Sequence, residues 1–377
     1  MKTKFVLTLV PFFGVLGAVA AQYDLEYENA DGEFVQVEKA DDSLMTAVGN
    51  VKNKGTIRLL DDVTVGSASL LGSRNYVLDG EGHTISIGAR LTFVASGNTT
   101  VVTLTNVTLT ATTSLSAQLF QTSYRGTIVL DNVTLKNYTN SSQIFILQSG
   151  TVRIVNGSRI ENVSGDLLFH YAQTNGDATH CGDTGFTNLV EIVDSTLVDI
   201  KTENSKKPVV PLYQARWYPA VFRMANSTLA GCSLEHGIKM NDQDGTSRTD
   251  DGGYYLPELY LESGTAITNN AFSVAAVGIA PKNNRCTVAF TGDLVIHGNG
   301  KDVVFENRVD TLTIHAGVTG EIRVSSPGAE GDPFAIADAG AKLSAFKVTG
   351  DDSLRAVFQE GKAVWAKATA GLMLIVR

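Results

Sequence analysis

Cysteine is scarce: Cys181, Cys232 and Cys286 are the only three in 377 residues. So low a count excludes a disulfide-built scaffold, and because it is odd, at least one thiol has no partner within the chain. No Cys-x-x-Cys spacing occurs, and His180-Cys181 by itself is a poor zinc signal. Charge is thin too, at 18% of residues, with 39 acidic side chains against 30 basic ones. A nucleic-acid partner demands a basic face, and none is visible here. Prolines number 8 and tryptophans 2, whereas glycines number 36, a balance that fits many tight turns around a β-rich interior. Beyond the first twenty residues, no segment approaches the roughly 20 consecutive apolar residues that a membrane helix needs.

What is present begins with an address. Lys2 and Lys4 precede an apolar run from Phe5 to Val19 that closes on Ala18-Val19-Ala20, the pattern of a secretory signal peptide cut near Ala20 or Ala21. Pro11, Gly14 and Gly17 interrupt the run and argue against a membrane anchor. Without Lys2 and Lys4, 28 basic side chains face 39 acidic ones, for a formal charge of −11. The expected mature protein is acidic and either secreted or held at the cell surface.

Self-similarity is the strongest signal along the chain. Val102-Thr103-Leu104-Thr105-Asn106-Val107-Thr108-Leu109 is echoed by Ile128-Val129-Leu130-Asp131-Asn132-Val133-Thr134-Leu135. Further copies run from Val152 to Ile160, Val190 to Leu197 and Phe222 to Leu229, with degenerate ones at Leu259–Ile267 and Val288–Ile296. Alternation puts Val, Leu and Ile on one strand face, and β-branched Thr and Val favour extended backbone. The Asn or Asp between the two strands tolerates left-handed dihedrals, which suits a sharp corner. The corners lie 26 residues apart from Asn106 to Asn132 and 24 from there to Asn156, a length matching one turn of a three-faced coil. One coil cannot close a core, but a stack of coils can.

This pattern predicts an all-β chain: a right-handed parallel β-helix solenoid with a short N-terminal capping helix and a C-terminal β cap. We read residues 1–21 as signal peptide, 22–55 as N-terminal strands and capping helix, 56–320 as β-helix and 321–377 as a β-rich cap. The helix carries Leu44, Met45, Val48 and Val51 on one face behind Asp41-Asp42, and Asn53-Lys54-Gly55 stops it. Leu354–Phe358 and Ala363–Ala366 read as hairpin strands, and Gly371–Arg377 as a final strand.

Gly55-Thr56-Ile57-Arg58-Leu59-Leu60-Asp61-Asp62-Val63-Thr64-Val65 and Leu78-Asp79-Gly80-Glu81-Gly82-His83-Thr84-Ile85, behind that helix, resemble the opening of exported bacterial right-handed parallel β-helix proteins of the pectin-lyase-like superfamily. The likeness covers residues 40 to 320 as architecture and 55 to 87 as motif. It implies the fold more than the activity, because the superfamily holds polysaccharide lyases, polygalacturonases, adhesins and surface proteins without known activity.

Corner spacing lengthens to 38 residues from Asn156 to Asp194, 32 to Asn226 and 37 to Ser263, so loops are inserted there. Stretches Tyr171–Asn188, Lys201–Pro219 and Asn241–Pro257 contain Tyr171, Trp217, Tyr218, Tyr254 and Tyr255, which would wall a sugar-stacking groove or pack the loops onto the sheet. The most enzyme-like stretch runs from His236 through Lys239, Asp242 and Asp244 to Arg248. In the lyases of this fold a carboxylate cluster holds calcium against the substrate uronate and a Lys or Arg takes a proton. The resemblance would give Asp242 and Asp244 the calcium and Lys239 or Arg248 the proton. Met240 stands where an EF-hand loop has its first ligand, and solvated acidic loop residues are the plainer reading. The polygalacturonase motif order is not reproduced: His236-Gly237 and Ile238-Lys239 precede Asp250-Asp251, and Gly237 replaces the arginine.

Eight Asn-x-Ser/Thr tripeptides occur, at Asn98, Asn106, Asn132, Asn137, Asn140, Asn156, Asn162 and Asn226, where an Asn corner followed by a Thr-rich strand generates them automatically. Two functional readings stand. One is a structural or adhesive β-helix that contacts an extracellular glycan or cell-surface partner through its loops and needs no cofactor. The other is a polysaccharide lyase or glycoside hydrolase working through Lys239, Asp242, Asp244 and Arg248 with calcium.

Overall fold

The computed structural model describes residues 23–367, apart from 67, 73, 173–186, 203–206, 214–218, 242–256, 281–285, 308, 310 and 326. The signal peptide and the Gly371–Arg377 strand read from the sequence lie outside the described residues. The fold is a parallel β-helix solenoid whose coils present three faces.

The first face is a ladder of strands Gly55–Leu59, Tyr76–Asp79, Val101–Thr105, Thr127–Asp131, Thr151–Val155, Asn188–Val193, Ala220–Ala225 and Glu258–Leu261, continued by the first halves of Thr287–His297 and Thr311–Thr319. All its coil-to-coil pairings are parallel and in one register. Ile57, Leu78, Leu104, Leu130, Ile154, Ile192, Met224, Leu261, Phe290 and Ile314 therefore form a single column. None of these is more than 1% exposed, so each contributes on the order of 1.5 to 3 kcal/mol by burial.

The second face runs from Val63–Val65 and Thr84–Ile87 through Thr108–Ala111, Thr134–Thr139 and Arg159–Gly165 to Thr228–Ala230 and Ala266–Thr268. The third comprises Ser69–Leu71 to Leu167–Tyr171, then Val210–Tyr213 to Phe346–Val348. Inside its first stretch, Phe93, Phe120, Phe145 and Phe169 follow one another at centroid spacings of 5.6, 4.7 and 5.1 Å, the first two pairs stacked and the third tilted.

The corners behave as the repeat predicts. Asn106, Asn132, Asn156, Asp194 and Asn226 all lie at positive φ between 44° and 56°, where Asn and Asp are the cheapest residues with a side chain. Their side chains also link the coils: Asn132 Nδ2 donates to Asn106 Oδ1 at 2.9 Å, and Asn156 Nδ2 to Asp131 Oδ1 at 2.9 Å. A second row at the next corner escaped the sequence reading. Asn137, Asn162, Asp199 and Asn269 sit at φ 47° to 55°, and Asn162 donates to Asn137 at 2.8 Å. Polar groups inside the coil are satisfied in the same manner, as where Asn270 Nδ2 donates to Asn299 Oδ1 at 2.8 Å and Asn299 Nδ2 to the Ile267 carbonyl at 2.6 Å.

The ends are closed by antiparallel hairpins. Tyr23–Glu28 pairs with Phe34–Glu38 and, on its other side, with Gly55–Leu59. Helix Ser43–Asn50 lies near them and buries Leu44, Ala47 and Val48, with Val51 just beyond it at 2% exposure. Two details depart from expectation. Met45 is 43% exposed, because Ala47 completes the i, i+3, i+4 stripe in its place, and Asp42 occupies the N-cap position without a side-chain capping hydrogen bond. Parallel pairing continues past residue 320, through Ile322–Val324 to Phe346–Val348, before Leu354–Gln359 and Lys362–Lys367 form the expected hairpin. Glu360 and Gly361 turn it, both at positive φ, and Trp365 is fully buried against Phe334 at 4.4 Å.

Candidate functional site

The longer coils take up their extra residues mainly at one edge. Residues 173–186 join the third-face strand Leu167–Tyr171 to the first-face strand Asn188–Val193. Residues 214–218 join Val210–Tyr213 to Ala220–Ala225, and 242–256 join His236–Asn241 to Glu258–Leu261, again from third face to first. The stretch expected as one loop from Lys201 to Pro219 is instead split by strand Val210–Tyr213.

The candidates read from the sequence fall as follows. Tyr171 belongs to a third-face strand rather than a loop, is 7% exposed, and donates its hydroxyl to the Val221 carbonyl at 3.4 Å. Burial pushes its phenol well above the ordinary value, and the ring faces the coil interior rather than a groove. Lys239 lies half-buried in strand His236–Asn241, in register with Pro211 and Gly278. Trp217, Tyr218, Asp242, Asp244, Arg248, Tyr254 and Tyr255 lie outside the described residues. Among the described residues, no group of three His, Cys, Asp or Glu side chains is placed to hold a metal ion.

Near Lys239, His236 is 4% exposed and its Nδ1 has no hydrogen-bond partner among the described residues. Burial, reinforced by the Lys239 charge, pulls its pKa down to about 4, so the ring is neutral at physiological pH. The half-buried imidazole of His170 is likewise depressed by burial, with the Asp166 and Lys207 ion pair close by. Cys232 is a buried thiol donating to the Ala230 carbonyl at 3.4 Å, its pKa raised to about 12 by burial. That environment suits a packing residue rather than a nucleophile.

Outside the first face runs a charged strip that the sequence reading missed. Arg223 binds Glu262 with two contacts of 2.9 Å and reaches Glu191 at 3.5 Å, and Arg153 binds Glu191 at 2.7 Å. Its signal was available in the parallel register, which sets Arg153, Glu191 and Arg223 side by side on successive coils. The guanidiniums are nearly half exposed, so each pair is worth about 0 to 1 kcal/mol.

Two concavities belong to the early coils. One follows the corner between first and second faces and is lined by Glu81, Gly82, Asn106, Val107, Thr108, Asn132 and Thr134. The other, on the first face, is bordered by Asn53, Asn75, Val77 and Val101. A more apolar cleft lies near the C-terminal end between Phe305, Leu312, Phe334 and Ile336.

Residues 36–147 match the family model described as "Putative pectate lyase-like adhesive domain". The match agrees with the pectin-lyase-like resemblance of the opening coils and covers less than a third of the chain. No curated protein and no solved structure matches the chain. Among the described residues, no helix is long and apolar enough to cross a membrane. The matched stretch ends before Tyr171, Lys239 and the inserted loops begin.

Proposed function

We propose that the chain is an exported, non-catalytic β-helix that acts outside the cell as an adhesive module and holds extracellular glycan without turning it over. The observation that carries this reading is the adhesive-domain match over residues 36–147, laid on coils whose strands pair in parallel from one coil to the next. Support also comes from the side chains near Lys239: the adjacent histidine is buried and neutral, which suits packing. The domain organisation read from the sequence fits the same view, with a leader over 1–21 and hairpin-closed ends that keep the column from stacking on its neighbours. In this proposal Trp217, Tyr218, Tyr254 and Tyr255, all in segments that connect a third-face strand to a first-face strand, supply rings for sugars to stack against.

The test is a panel of soluble polyuronides and neutral polysaccharides, with and without calcium, scored for both retention and product release. Retention without release is the expected result. Release of unsaturated or reducing ends that disappears in Lys239→Ala or Asp242→Ala would establish instead a lyase or hydrolase built on Lys239, Asp242, Asp244 and Arg248.

A further inference from the structure

Any adhesive contact made by the matched coils themselves needs a surface between residues 36 and 147, a stretch that contains none of Trp217, Tyr218, Tyr254 and Tyr255. Of the two concavities there, the one at Asn75 exposes mainly apolar surface and has no carboxylate on its wall. The corner groove is different. It offers the Glu81 carboxylate, the Asn106 and Asn132 carboxamides and the Thr108 and Thr134 hydroxyls, with Val107 as its aliphatic member.

We propose that this corner groove binds a neutral polysaccharide chain lying along the coil stack; the proposal rests on the adhesive reading above and adds to it a contact on the matched coils.

Capacity is the first reason. A carboxamide has two N–H donors and an acceptor oxygen. Asn106 gives one N–H to Asp79 at 3.2 Å and Asn132 one to Asn106 at 2.9 Å, so each keeps a second N–H. Thr108 and Thr134 add hydroxyls that both donate and accept, and Glu81 accepts from two oxygens. Such a mixture suits a ligand dense in hydroxyl groups, each of which both donates and accepts.

Repetition is the second. Thr108 and Thr134 are register partners in adjacent coils, so Asn106 with Thr108 and Asn132 with Thr134 present the same pair of groups about 4.8 Å apart along the stack. A polymer whose hydroxyls recur can engage both pairs at once, which multiplies weak contacts.

Rigidity is the third. Glu81 and Gly82 hold positive φ of 49° and 89°, and the Gly82 N–H donates to the Asn106 carbonyl at 2.8 Å. Gly80 seats the turn directly on the next coil, since a Cβ there would lie 2.5 Å from Val107 Cβ. Groups held this way lose little conformational freedom when they bind.

Sign selects neutral over acidic chains. Glu81 lies in the groove, Asp79 and Asp131 end the strands that lead into the corner, and the whole chain carries −9. A polyuronate would meet like charge along its length.

The experiment uses the full-length protein in affinity electrophoresis and calorimetry against soluble glucan, mannan, xylan and polygalacturonate. The variants are the Thr108→Val/Thr134→Val pair, Glu81→Lys and Trp217→Ala. The valine pair keeps shape and β propensity while removing two hydroxyls, and should weaken neutral-chain binding about tenfold or more, as loss of two hydrogen bonds implies. Glu81→Lys, at an exposed turn, should shift preference toward polygalacturonate. Wild-type affinity for neutral chains in both the valine pair and Glu81→Lys would overturn the assignment. So would neutral-chain binding abolished by Trp217→Ala alone. If the wild type retains no polysaccharide at all, the adhesive reading falls and this site with it.

Discussion

Asn162 stands at φ 47° and hands its amide to Asn137, so two separate contributions meet in one exposed side chain. Asn162→Gly keeps the left-handed backbone accessible and loses only the hydrogen bond, about 1 kcal/mol. Asn162→Ala loses both, roughly 2 kcal/mol in all. Urea unfolding of the two variants separates them, and equal losses would show that the dihedral carries no cost. His236 makes the second residue-scale prediction. Its folded pKa, about 4, lies below the ordinary value of 6.5, so the unfolded chain binds more protons between those limits. Stability should therefore hold above pH 6.5 and drain away as pH falls toward 4, and His236→Gln should flatten that slope in pH-dependent melts. The Asn corners of the first-to-second edge were legible because they recur between alternating strands. Asn270 and Asn299 were not, since nothing in an isolated asparagine distinguishes a coil-interior ladder from a solvated turn.

The phenylalanine stack belongs to the scale of the element. Phe145 touches Phe120 and Phe169 and is fully buried, so Phe145→Ala should cost about 3 to 5 kcal/mol, while Phe145→Leu should recover most of it. Calorimetric melting of both variants checks the difference; similar losses would mean that ring stacking, not volume, is what the column needs. These third-face strands went unremarked in the sequence because their alternation is blurred. Leu91, Thr92 and Phe93 are all buried in succession, as are Leu167, Leu168 and Phe169, so period-two reading fails where both sides of the strand are covered. The same blurring placed Tyr171 in a loop when it continues a strand. The capping helix was readable from Leu44, Val48 and Val51, yet its third contact is Ala47, too small to register beside Met45 in a hydrophobic pattern. The candidate groove was less legible still. Glu81, Asn106 and Asn132 lie dozens of residues apart, and only coil register brings them to one surface.

At the scale of the molecule, an end-capped column has two vulnerable places, because each coil is protected by the next. Trp365 is buried at the C-terminal closure, stacked on Phe334. Trp365→Ala should lower stability by about 3 to 5 kcal/mol and, by loosening the hairpin, promote end-to-end association visible in size-exclusion chromatography. A monomeric variant with an unchanged melt would show that the hairpin is ornamental.

The same column carries a practical lesson for anyone producing it. Five of its Asn-x-Ser/Thr tripeptides, at Asn106, Asn132, Asn156, Asn162 and Asn226, contribute the very nitrogens that stitch coil to coil. A eukaryotic secretory host that decorates nascent chains would load those nitrogens with sugar before the coils can close. Yeast or mammalian cultures should then yield retained, misfolded material that a glycosylation inhibitor rescues, whereas bacterial cultures deliver the native fold.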